Sequence, residues 1–83
     1  MIEMIILKKR IGTFLKDNIP AHIVTKDGSW LNGYIVKVYS DYFDFLDRKK
    51  GKIPIFFIDI ELFEFFNGDM NSLKKEGWDD VHS

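Results

Sequence analysis

Met4, Leu7, Ile11, Phe14 and Leu15 recur at spacings of 3, 4, 3 and 1, and Lys8, Lys9 and Lys16 fall off that line. A single apolar stripe of this kind predicts an amphipathic helix over residues 3–17. Gly12 weakens it by about 1 kcal/mol against alanine, and Pro20 ends it by pushing Ile19 towards an extended conformation. From residue 21 the pattern changes to short runs rich in β-branched and aromatic residues, separated by turn residues. These runs predict strands over 21–26, 30–39, 42–47, 52–57 and 60–66. Asp27-Gly28 is the strongest hairpin signal. Gly33 interrupts the long second strand and marks a bulge or sharp bend. A strand bent there crosses from one sheet layer to the other, which is how a small barrel closes. Ser40-Asp41 makes a short turn, Arg48-Lys49-Lys50-Gly51 a basic hairpin loop, and Pro54 hints that its strand is an edge. The expected fold is mainly β with an N-terminal helix: a five-stranded, strongly bent antiparallel barrel over residues 1–66. Residues 67–83 read as a polar, acidic tail with room for one helical turn, Ser72 to Glu76, and with Trp78 expected to dock on the barrel or on a partner.

The last two strands carry more apolar residues than so small a domain can hide. Ile53, Ile55, Phe57, Leu62, Phe63 and Phe65 crowd into a few turns of chain. With 83 residues there is one domain and a modest interior. An exposed strand edge carrying such side chains templates aggregation. The expectation is therefore that these residues form an oligomer interface, through head-to-tail contacts that close into a ring.

Composition removes several classes of function. There is no cysteine, so no disulfide and no thiolate zinc site, and this agrees with a reducing cytoplasm, the expected location. The two histidines, His22 and His82, are too few for most other metal sites, and no cofactor is expected. The opening MIEMIIL carries its positive charge after the apolar run, the reverse of a secretory signal. No run of 18 apolar residues is present, so no membrane span is expected. The net charge of −1 carries no global signal for nucleic acid. The charges are nonetheless segregated. Lys8, Lys9, Arg10 and Lys16 lie in the helix and Arg48, Lys49, Lys50 and Lys52 at one hairpin, while carboxylates gather at 59–64 and in the tail.

The order Asp27-Gly28, Leu31, Gly33, Ile35, then Asp41-x-Phe43 with Phe45-Leu46, then Phe56 and Ile60, resembles the Sm/LSm family. With a helix and Ile19-Pro20 ahead of it, the pattern is most similar to the bacterial Hfq branch, over residues 14–65. The resemblance implies a bent five-stranded barrel, assembly into six- or seven-membered rings, and generally RNA binding. It also implies a base-stacking site in the loop after the second strand, here Ser40-Asp41-Tyr42-Phe43, with Phe43 at the stacking position. The family completes its pocket with a Tyr-Lys-His-type segment. Phe56, Phe57 and Ile58 stand there in this chain, so the cation and the imidazole are absent, and Phe57 offers only a ring.

Each candidate has a plainer reading. Asp41, Tyr42, Phe43 and Phe57 contact a base, or they are ordinary strand residues. Lys8, Lys9 and Lys16 form a phosphate-binding collar when a ring repeats them, or they are a solvated helix face. The basic hairpin loop divides in the same way. Asp41, Asp44 and Asp47 are spaced by three and do not share one face of a strand, which argues against a carboxylate metal site. His22 reads as an outward or interface residue. No nucleophile motif is present, so the chain reads as a non-enzyme. Two functions stay open. One is an Sm-like ring binding single-stranded RNA at its pore or basic face. The other is a ring that has lost RNA binding and holds a protein partner.

Overall fold

A computed structural model describes residues 2–67. The expected tail helix, Trp78 and His82 lie outside the described residues. Helix α1 spans Ile2–Lys16 and is followed by β1 (Ala21–Thr25), β2 (Trp30–Val38), β3 (Tyr42–Asp47), β4 (Gly51–Phe56), a short 3-10 turn (Phe57–Asp59) and β5 (Ile60–Phe65). Each element lies within a residue or two of its expected bounds, apart from the 3-10 turn, which takes Phe57 out of the fourth strand. No helix among the described residues is long and apolar enough to cross a membrane.

The helix packs across β2 and the 3-10 turn. Its stripe works as the spacing implies: Ile11 is buried, and Met4, Leu7, Phe14 and Leu15 pack against the core. The stop signal is more local than Pro20. Asn18 takes a left-handed conformation, φ +54°. Its N–H donates to the Leu15 carbonyl at 3.3 Å, and the Ile19 N–H donates to Phe14 at 2.9 Å. Two otherwise unpaired helix-end carbonyls are satisfied this way, and asparagine tolerates the left-handed region better than most residues.

The strands run antiparallel in the order β4-β3-β2-β1-β5. The sheet curls round its core without closing, because β4 and β5 are its two ends and do not pair with each other. The five-stranded, strongly bent antiparallel fold expected from the strand pattern is thus what forms, as a sheet that stays open between β4 and β5. The 3-10 turn links the two free ends directly, and its three residues leave β5 to pair with β1 on the far side. Pro54 does sit in an edge strand, opposite Asp44.

Gly33 acts by close approach. A Cβ there would stand 1.8 Å from the Leu46 carbonyl oxygen, so only glycine lets β3 lie this tightly on β2. The ladder irregularity itself falls beyond it, between Ile35 and Lys37, where Val36 is the extra residue. The Asp27-Gly28 turn forms as expected, with Gly28 at φ +88°. The Asp27 carboxylate accepts from the Thr25 hydroxyl and, at 3.1 Å, from the Ser29 N–H. These bonds, Thr25 first, hold its pKa below the usual carboxylate value.

The core is built from alternate residues of the strands. Ala21 and Ile23 of β1, Leu31 and Ile35 of β2, Phe43 and Phe45 of β3, and Ile55, Phe57 and Phe63 fill it with Ile11. Phe43 meets Phe45 edge-on at 6.3 Å and Phe57 at 5.5 Å, and Phe14 meets Phe63 at 4.7 Å. Ile55, Phe57 and Phe63 were expected at an interface. They are instead nearly or fully buried within the single chain, because the curl of the sheet gives it more interior than a flat sheet would have. Leu62 and Phe65 stay exposed and Ile53 stays half-buried, joined by Phe56 and Ile58.

Candidate nucleic-acid interface

Strand alternation decides which aromatic rings reach the surface. Along β3 the odd positions 43 and 45 face the core, so Phe43 is 0% exposed and closed to a base in this conformation. Its neighbour Tyr42 lies on the other face and is half-buried. Phe57 is closed in the same way, at 3% exposed.

Around Tyr42 the surface carries a continuous row of rings. Tyr39, at the end of β2, stacks on Tyr42 with centroids 4.6 Å apart and planes 18° from parallel. Tyr42 in turn meets Phe56 of β4 at 5.2 Å. The register explains the second contact, since Tyr42 and Phe56 are direct cross-strand partners. The first follows from the tight turn, in which the Tyr39 N–H donates to the Tyr42 carbonyl at 2.8 Å. Lys37 Nζ lies 5.2 Å from the centre of the Tyr39 ring. The Tyr39 hydroxyl donates a long hydrogen bond, 3.4 Å, to Asp44. Desolvation first, and then the Asp44 charge, raise its pKa above that of a free tyrosine. Tyr39 and Lys37 were not singled out by sequence reasoning, and Phe56 entered it only as part of the segment Phe56-Phe57-Ile58. The register of β3 against β4 places Phe56 beside Tyr42, and the β2–β3 pairing and turn place Lys37 and Tyr39, none of which the sequence alone specifies.

The opposite end of the row opens into a cleft of about 400 Å³ between α1, the β2–β3 loop and the 3-10 turn. Lys8 stands in it: its Nζ donates to the Ser40 carbonyl at 3.2 Å and lies 5.1 Å from the Phe57 ring centre. Asp41 is exposed beside it, and its backbone carbonyl accepts from the Phe57 N–H at 3.1 Å. Lys9 and Lys16 are exposed on the helix, and Arg10 lies 5.2 Å from the Phe63 ring centre. Of the expected RNA-binding residues, the fold thus brings Asp41, Tyr42 and Lys8 together. Lys9 and Lys16 remain on the helix surface, and Phe43 and Phe57 lie beneath it.

The fold is Sm-like. A crystal structure of the pleiotropic translational regulator Hfq superposes with a TM-score of 0.62 at 14% identity, over 70% of this chain and 95% of that one. No family model matches the sequence, and no curated protein matches it.

The other candidates resolve into structural roles. The Asp47 carboxylate is buried, 5% exposed, and accepts from the N–H groups of Asn32 at 2.9 Å, Lys49 at 2.9 Å and Lys50 at 2.8 Å. It fixes the β3–β4 hairpin and ties it to β2, so the basic loop is held from beneath while Lys49 and Lys50 stay exposed. Among the described residues no three His, Cys, Asp or Glu side chains gather as metal ligands. His22 is half-buried on the sheet surface, where its Nδ1 lies 2.6 Å from the Asn32 Oδ1 and its ring meets the edge of Trp30 at 5.4 Å.

Proposed function

We propose that the protein is a subunit of an Sm-like ring that binds single-stranded RNA. The observation that carries this reading is the surface row Tyr39, Tyr42 and Phe56, flanked by Lys37 at one end and Lys8 at the other. Solvent-facing rings beside cations are what single strands stack upon, because every base has an apolar face and every linkage a charge. The two ends of the sheet support assembly into a ring. Both sheet ends are open, and a cleft of about 570 Å³ floored by Leu31, Ile53 and Ile55 lies along β4. Exposed Leu62 and Phe65 on β5 of another copy are suited to it. Such a contact is head-to-tail and closes only as a ring, here of six or seven copies in the cytoplasm. The protein acts as a binder and not as an enzyme. The structurally similar Hfq is a translational regulator, and RNA-level regulation is the role an RNA-holding ring fits.

Two measurements test this. Native mass spectrometry is expected to give a ring mass, which Phe65→Glu shifts towards smaller species. A single-chain mass for the wild type contradicts the ring. Oligo(U) and oligo(A) binding at two salt concentrations is expected to show a log–log slope of about −0.7 per neutralised phosphate. Replacing Lys8 and Lys9 by alanine flattens that slope. A second reading, a ring that holds a protein partner, draws on exposed Ile5 and Ile6 of α1 and exposed Ile58 of the 3-10 turn. It takes over if no RNA binds at low salt.

A further inference from the structure

The cleft at the end of the aromatic row contains one group that can only donate and one that can only accept. Lys8 gives one proton to the Ser40 carbonyl, at 3.2 Å, and keeps two. Asp41 offers a carboxylate, and the 3.1 Å bond from Phe57 N–H to its backbone carbonyl anchors that residue against the 3-10 turn. Met4, Phe56 and Ile58 supply apolar walls. Neither charged group is on β4, so the recognition chemistry comes from the helix and the β2–β3 loop.

An acceptor-only carboxylate discriminates among bases. Uracil presents one N–H between two carbonyl oxygens, and both oxygens repel a carboxylate. Cytosine and adenine each present one amino group beside a ring-nitrogen acceptor. Guanine alone presents two adjacent donors, N1–H and the N2 amino group, with an acceptor, O6, next to them. We propose that this cleft selects guanine, with Asp41 accepting from N1–H and N2–H and Lys8 donating to O6. The proposal rests on the RNA-binding reading above and specifies the base that the site prefers. The physical basis is that bidentate pairs to a base edge are strongly discriminating, since the wrong base leaves a charged group unpaired.

The test uses the full chain and three labelled RNA hexamers: all uridine, one with a central guanosine, and one with inosine in that place. Inosine keeps N1–H and O6 but lacks the N2 amino group. Fluorescence anisotropy is expected to show the guanosine hexamer binding about tenfold tighter than the uridine hexamer, with inosine between them. Asp41→Asn abolishes the preference, because its amide can also pair with uracil. Lys8→Ala weakens the guanosine hexamer more than the uridine one. Light scattering and circular dichroism check that each variant keeps its mass and fold, and the inosine comparison needs no variant. Equal or tighter binding of the uridine hexamer by the wild type, or an unchanged preference in Asp41→Asn, overturns this proposal alone. Failure to bind any hexamer at low salt overturns it together with the RNA-binding reading.

Discussion

Phe43 and Tyr42 are neighbours in one strand, yet they belong to different parts of the molecule. Phe43 points inwards, has no exposed surface, and touches Phe45 and Phe57. Tyr42 points outwards and stands between Tyr39 and Phe56. A one-residue shift of register would exchange them, because side chains alternate strictly along a strand. The core rings decide whether the chain folds, and the surface rings are free to do something else. An aromatic residue in this fold therefore has no meaning until its face is known.

The contrast is broken most severely where β2 and β3 approach most closely. Gly33→Val places a branched side chain where even a Cβ meets the Leu46 carbonyl oxygen at 1.8 Å. The expected outcome is loss of the folded state, seen as absent cooperative melting by circular dichroism. Next in size, Phe43→Ala removes a fully buried ring and is expected to cost about 3–5 kcal/mol in urea unfolding. A cost below about 1 kcal/mol would show that this ring is not core. Smaller again is Asp47→Asn. It keeps the shape but turns one of two accepting oxygens into a donor facing backbone N–H groups. A loss of about 1–3 kcal/mol is expected, with the β3–β4 hairpin amides losing hydrogen-exchange protection.

The smallest effect is at the other turn. The folded-state pKa of Asp27 is lowered, chiefly by the Thr25 hydroxyl. Its contribution is therefore full above the unfolded-state value and is lost as pH falls through the folded-state value. Melting temperatures of the wild type and Asp27→Asn are expected to differ at neutral pH and to converge in acid. A gap that stays constant down to pH 2 contradicts that linkage.

Local chemistry made much of this legible in the sequence. The helix stripe, the Asp27-Gly28 turn and the edge position of Pro54 each follow from a few adjacent residues. What resisted reading was long-range. The Leu46 carbonyl that demands Gly33, and the hairpin amides that claim Asp47, become visible only once β3 is laid on β2. The same pairing hid the site. Phe43 was the expected stacking residue because its motif position fitted, but burial is set by the face of the sheet, which encloses Phe43 and leaves Tyr42 outside. Phe56, legible only as part of the Phe56-Phe57-Ile58 segment, meets Tyr42 as its cross-strand partner. The residues expected at an interface divided on the same ground, with Ile55, Phe57 and Phe63 turned inwards and Leu62 and Phe65 left outside.

In the proposed function the exposed row, and not the buried rings beneath it, holds RNA. Anisotropy titration of one labelled single-stranded RNA against the wild type and Tyr42→Ala, at several salt concentrations, addresses it most directly. Loss of one stacked base is worth about 1–3 kcal/mol, and stacking releases no counterions. The predicted result is an affinity loss of about tenfold or more with an unchanged salt slope and an unchanged oligomer mass. Equal affinity for wild type and variant, with the oligomer intact, would contradict the account.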